Sequence, residues 1–190
     1  MSGKNWDMYD YILESKDAVR NIVAKQEEVF QDALEYLKDK KIEQIYLLGS
    51  GTSYHAAVAS KRAVEAGLGV KVFTMYPMEF VDNEKVFNPH TLVVGISQAG
   101  RSTSTVEALK KAREQGFATI AVTGSEKRPV SEVADCTILL AIGDEFAGPK
   151  TKGYQGSIAT LVLLGLKLAV QQGILSEDKK DEITDRMVKT

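Results

Sequence analysis

The spacing of apolar and polar positions changes once along the chain. From residue 8 to residue 39, apolar side chains recur at three- and four-residue steps. Ile12, Val19, Ile22, Val23, Val29, Phe30, Ala33, Leu34 and Leu37 carry this pattern, with charges between them and no Pro or Gly. The spacing predicts helix throughout, with Ser15 a candidate cap for a second helix after a short break. Beyond residue 40 the pattern becomes short apolar runs, and residues 45–48, 70–74, 91–96, 118–123 and 136–142 read as buried strands. Residues 52–66, closed by Gly67, and 102–115, stopped by Gly116, read as helices between them. Residues 129–134 read as one or two helical turns, 143–153 as a loop holding Gly and Pro, and 154–172 as a long helix ending at Gly173. The tail, 176–190, is charged and helical at most.

Strands alternating with helices imply an α/β fold with a parallel sheet and helices on both faces, a three-layer sandwich. Five such strands match the flavodoxin-like order 2-1-3-4-5. The chain divides into an N-terminal helical segment (1–40), a sheet domain (41–175) and a charged tail or linker (176–190), with no internal repeat. The 154–172 helix is apolar on nearly every side and must be sandwiched; a second subunit or domain is the simplest cover.

The totals narrow the function. The chain has 190 residues, enough for one domain. Its formal net charge is −2, which leaves no basic excess for nucleic-acid phosphates. The single cysteine, Cys136, excludes an internal disulfide and sits in an apolar run, reading as a buried small hydrophobe. The N-terminus lacks a signal-peptide core, and 158–170 is short for a bilayer span and carries Lys167. A soluble, cytoplasmic protein with neither nucleic-acid nor membrane partner is expected.

Two turns carry candidate chemistry. In a doubly wound sheet, ligands bind beyond the carboxyl ends of the strands where the strand order reverses, here between strands 1 and 3. The turns there are Gly49-Ser-Gly51-Thr52-Ser53 and Ser97-Gln98-Ala-Gly-Arg101-Ser102. Both contain glycine, which lets backbone approach a ligand, and both open a helix, whose first N–H groups lack intrahelical partners. Hydroxyls add donors without charge, and the combination suits a phosphate monoester. A single such turn is also an ordinary helix cap. A dinucleotide site fits less well: position 54 is Tyr rather than a third glycine, and strand 2 leads to Tyr76 and Pro77 rather than an acid. No Gly-Lys-Ser/Thr sequence and no metal-ligand spacing occur, so no cofactor and no metal are expected.

The segments "GSGTSYHAA" (49–57), "VVGISQAGRSTST" (93–105), "AVTGSEKRPVSEVADCTILLAIGDE" (121–145) and "KTKGYQGSIATLVLL" (150–164) resemble the SIS family of sugar-isomerase domains across roughly residues 40–172. The likeness runs strongest to the isomerase part of glucosamine-6-phosphate synthase and related phosphosugar isomerases and deglycases. The resemblance implies that Ser53, Ser97, Gln98 and Ser102 hold a sugar-phosphate ligand, helped by Thr52 and Gly51. Ala99 removes one hydroxyl of the family's usual loop. Arg101 replaces an acid, and either pairs with an anionic substrate or points to solvent. Glu145 and the segment Lys150-Thr151-Lys152 match a loop that closes over the sugar; the alternative role for Glu145 is a cap or salt bridge after strand 5.

Aldose–ketose isomerisation needs a base to move a proton between adjacent carbons and a group to open the ring. Besides Glu145, the candidate is His55, in the first turn after Ser53, with an orienting role as the alternative; His90 lies at the opposite end of the sheet. In synthase-like relatives the resemblance places the catalytic groups mainly in a second SIS domain. The chain is then half of a two-domain enzyme, a self-associating homodimer, or a sensing or regulatory module that binds sugar phosphate without turning it over.

Overall fold

A computed structural model describes residues 7–148 and 150–189. Strands β1 (Gln44–Gly49), β2 (Lys71–Met75), β3 (Thr91–Ile96), β4 (Ala118–Thr123) and β5 (Cys136–Leu139) form one parallel sheet in the order β2-β1-β3-β4-β5, as the sequence predicts. The central strands are buried along their length because helices cover both faces. Successive side chains of a strand point to opposite faces. Ile45, Leu47, Leu92, Val94, Ile120 and Val122 therefore meet one helical layer, and Tyr46, Leu48, Val93 and Ala121 the other.

The first layer holds α1 (Met8–Ala24), α2 (Gln26–Leu37), α3 (Thr52–Leu68) and α7 (Lys152–Gln171). The second holds α4 (Pro77–Asp82), α5 (Thr103–Glu114) and α6 (Pro129–Val133). Helix α8 (Glu177–Lys189) packs against α1 and α7.

Several elements differ from their predicted extents, each for a local reason. The N-terminal helix breaks at Lys25, not near Ser15. The Ser15 hydroxyl donates to the Tyr11 carbonyl (3.0 Å), a bond that keeps it inside α1 instead of capping a new helix. Asp7 and Asp10 cap α1 reciprocally. Helix α3 runs through Gly67 and ends at Gly69, which takes the left-handed conformation (φ 71°). Helix α4, opened by Pro77 at its first position, was not anticipated; six residues are too few for a periodic signal. Strand β5 is four residues long, and the apolar run continues after Leu139 as loop, with Leu140 N–H still donating to the Thr123 carbonyl of β4 (2.8 Å).

Helix α7 begins at Lys152 and is sandwiched as predicted, but its cover comes from the same chain. Helices α1, α2, α3 and α8 surround it, so its apolar surface requires no second subunit. By length and composition α7 is apolar enough to cross a membrane, yet 72% of that window is buried inside the protein. Lys167, 6% exposed, reaches out to the Glu27 carboxylate on α2 (2.6 Å).

Two glycines of this core should respond oppositely to alanine. At Gly95 in β3 a Cβ would lie 2.7 Å from Leu109 Cδ1, so Gly95→Ala should cost about 1–3 kcal/mol. At Gly67 inside α3 the nearest atom is Leu166 Cδ2 at 3.6 Å, so Gly67→Ala should add about 0.5–1 kcal/mol. Urea-unfolding midpoints at constant slope read both changes.

Candidate active site at the ends of strands β1 and β3

Strands β1 and β3 are adjacent and in register, with Gly49 opposite Ile96, so their turns leave the same edge of the sheet from neighbouring strands. After β1, Gly51 adopts φ 56° and ψ −127°, which side chains rarely tolerate, and starts α3. A Cβ on Gly49 would sit 2.8 Å from the Ser53 carbonyl carbon, so glycine there lets the first turn of α3 rest on the end of β1. The α3 N-terminus has no side-chain cap, and its Ser53 N–H donates to the Ser50 carbonyl (3.2 Å). Thr52 and Ser53 are half-buried there, and the His55 side chain is exposed.

After β3 the chain is held more tightly. Ser97 N–H donates to the Val122 carbonyl (3.0 Å), and the Ser97 carbonyl accepts from Gly100 N–H (2.9 Å). Ser97 is 7% exposed, and its hydroxyl accepts from Ser102 N–H (3.4 Å). Ser102 is the N-cap of α5: its oxygen accepts from Thr105 N–H (3.3 Å) and from the Thr105 hydroxyl (2.9 Å). The Gln98 carbonyl accepts from Gly124 N–H (2.9 Å), which ties the loop to the turn after β4. Arg101 lies exposed on the rim.

Glu145 occupies a different place from the serine turns. Its carboxylate accepts from Thr151 N–H (2.7 Å), the Thr151 hydroxyl (3.0 Å), Gly153 N–H (2.8 Å) and the Gln98 amide (3.0 Å). Those are the bonds of a cap: the carboxylate closes the N-terminus of α7 and, through Gln98, fastens it to the loop after β3. Burial pushes the Glu145 carboxyl upward, but the four donated hydrogen bonds outweigh it and hold the group below the ordinary carboxylate range. Gly153 makes the contact possible, since a Cβ there would fall 2.0 Å from Gln98 Oε1.

The neighbouring lysines also have defined partners. Lys152, 5% exposed, donates to Glu14 on α1 (2.8 Å) and to the Asp144 carbonyl (2.9 Å), with its ammonium 5.1 Å from the Tyr11 ring centre. Lys150 donates to the carbonyls of Glu145 and Ala147 (both 2.8 Å). The structure thus brings together two groups: Thr52 and Ser53 with Ser97 and Ser102 at adjacent strand ends, and Gln98 with Glu145 and Thr151 at the start of α7. Lys152 belongs to neither, because it faces α1. A cavity of about 540 Å³ is lined by Thr151 together with Ile12, Lys16, Lys150, Tyr154 and Met187, and by none of the serine-turn residues.

The sequence reading offered a cap as the alternative role for Glu145 but missed the tie through Gln98 to the loop after β3. The signal for that close junction was Gly153, a weak helix former in the first turn of an otherwise apolar helix.

The Glu145 clamp has a pH signature. Its carboxyl titrates lower folded than unfolded, so its contribution to stability is complete above the ordinary value of about 4.3 and is lost as pH falls through the folded value. Glu145→Gln places an amide against donors and should lose about 1–3 kcal/mol at neutral pH. The difference between the parent and Glu145→Gln in urea midpoint should shrink as pH falls from 7 to 3.

The sequence profile of the SIS domain matches residues 36–167. The chain is 31% identical over 176 residues to a glutamine–fructose-6-phosphate aminotransferase (isomerizing) of Caldanaerobacter subterraneus, covering 92% of this chain and 29% of that enzyme. Among solved structures, a protein described as a candidate phosphosugar isomerase from Clostridium difficile 630 superposes with TM-score 0.87 at 33% identity, over 97% of this chain and 52% of that one. The C-terminal domain of glucosamine-fructose-6-phosphate aminotransferase from Francisella tularensis shares the fold, with TM-score 0.87 at 23% identity over 97% of this chain and 53% of that one. The chain thus spans under a third of that curated relative and about half of each solved structure. With the profile covering most of its length and the strand order and paired turns in place, the chain belongs to the SIS domain family.

Proposed function

We propose that this chain binds a sugar phosphate, with the phosphate between the turns after β1 and β3. The observation that carries this reading is the in-register pairing of Gly49 with Ile96. Neighbouring strands lie about 4.8 Å apart, so both turns can address one small anion. The uncapped N-terminus of α3 supplies N–H groups and a partial positive charge. Ser53, Ser97 and Ser102 supply hydroxyls, and Thr52 adds a hydroxyl or its amide. Neutral donors suit a monoester that must be released after reaction, and the relatives named for fructose-6-phosphate chemistry support the ligand class.

The clamp serves aldose–ketose isomerisation or deglycation of an amino-sugar phosphate. A base from a second SIS domain or subunit completes the site, since Glu145 and Lys152 are committed to bonds of their own. That same commitment favours a second reading, a sensing module that holds the sugar phosphate without turnover. Exchange of the substrate's C2 proton with solvent separates the two: an enzyme exchanges it and a sensor does not.

Fructose 6-phosphate and glucosamine 6-phosphate should raise the melting temperature where fructose and glucosamine do not, because only ligands bound to the folded state shift the equilibrium. Ser97→Ala should reduce that shift. Equal shifts with phosphorylated and unphosphorylated sugars would contradict a phosphate clamp.

A further inference from the structure

The end of β2 holds an aromatic pair that the phosphate clamp does not use. Met75, the last residue of β2, lies opposite Leu48, so Tyr76 stands level with Gly49 and Ile96 across three adjacent strands. Tyr54, in the first turn of α3 and next to Ser53, stacks on Tyr76 with ring centres 4.3 Å apart and planes 18° from parallel. The His55 ring meets Tyr54 edge-on at 5.6 Å. Tyr76 is 46% exposed, so the pair keeps a wet face.

The pair stands on a rigid base. Tyr76 precedes α4, and its carbonyl accepts from Phe80 N–H (3.2 Å). Phe80 is 1% exposed and packs edge-on against Tyr46 of β1 at 5.4 Å. An exposed tyrosine held this way is preorganised for a ligand, with little freedom left to lose on binding.

In doubly wound sheets the end of the second strand contacts the part of a ligand beyond its phosphate, where a dinucleotide fold places an acid for a ribose. Here that place holds an apolar ring with a hydroxyl at its tip, which suits the C–H face of a carbohydrate. We propose that Tyr54 and Tyr76 form the wall that reads the carbon skeleton of the bound ester, selecting a pentose or hexose phosphate over a short phosphoester. This inference rests on the phosphate clamp between β1 and β3. With the phosphate between β1 and β3, the end of β2 lies about one and a half strand spacings (about 7 Å) away, a span that the carbon chain of a pentose or hexose phosphate covers more fully than that of a three-carbon ester.

The test is calorimetric titration of the full chain and of Tyr76→Ala and Tyr76→Phe with inorganic phosphate, glycerol 3-phosphate and fructose 6-phosphate. Tyr76→Ala should weaken fructose 6-phosphate on the order of fivefold while changing the other two ligands less than about twofold, and Tyr76→Phe should stay near the parent. An equal loss for all three ligands, no loss for fructose 6-phosphate, or a Tyr76→Phe loss as large as that of Tyr76→Ala would overturn the aromatic wall and leave the phosphate clamp standing. If the parent chain binds none of the three, the clamp falls and the wall with it.

Discussion

The in-register pairing of β1 with β3 is the constraint on which the rest of the molecule depends. The strand order reverses at that seam, so α3 returns along one face of the sheet and α5 along the other. The two turns therefore part as they leave the sheet and open a crevice between two helix N-termini. Two glycines set its walls. Gly49 lets α3 rest on the end of β1, and Gly95 lets Leu109 of α5 lie against β3. Side chains at either position would push a wall away from the seam.

The second organising contact is the Glu145 carboxylate, which joins three parts distant in sequence: the β5–α7 loop, the start of α7 and the loop after β3. A carboxylate in this role is a poor general base, because its oxygens already accept four hydrogen bonds and its proton affinity is lowered. The chemistry proposed for this crevice is anion binding by neutral donors, which leaves proton transfer to other groups. The N-terminal helices add to the same economy of surface: α1 and α2 cover α7, and α1 holds the start of α7 through the Glu14–Lys152 pair and the β5–α7 loop through the Tyr11 hydroxyl, which accepts from Phe146 N–H.

Much of this was legible in the sequence because its physics is local. The strands are short apolar runs bounded by glycine or polar turns, and the change from helical to strand period survives every tertiary effect. The two serine turns could be placed at one crevice because strand order follows from the βα alternation. What escaped depended on tertiary contact. Ser15 looks like a cap until its hydroxyl is seen bonded back to Tyr11. Gly67 looks like a stop, although an unstrained glycine can remain in a helix that Leu68 still needs in order to reach the core. The cover of α7 was assigned to a partner because nothing in the N-terminal pattern says which face of the sheet those helices will join. The cap bonds of Glu145 were visible only in its tertiary hydrogen bonds.

The central claim is that one anion is shared by both turns. The most direct measurement is a crystal structure of the chain soaked with a hexose phosphate. The phosphorus should lie between Ser53 and Ser97, with its oxygens within hydrogen-bond distance of donors from the first turn of α3 and from the loop that ends at Ser102. A phosphate bound to one turn alone, or seated in the cavity beside Lys16 and Lys150, would contradict it.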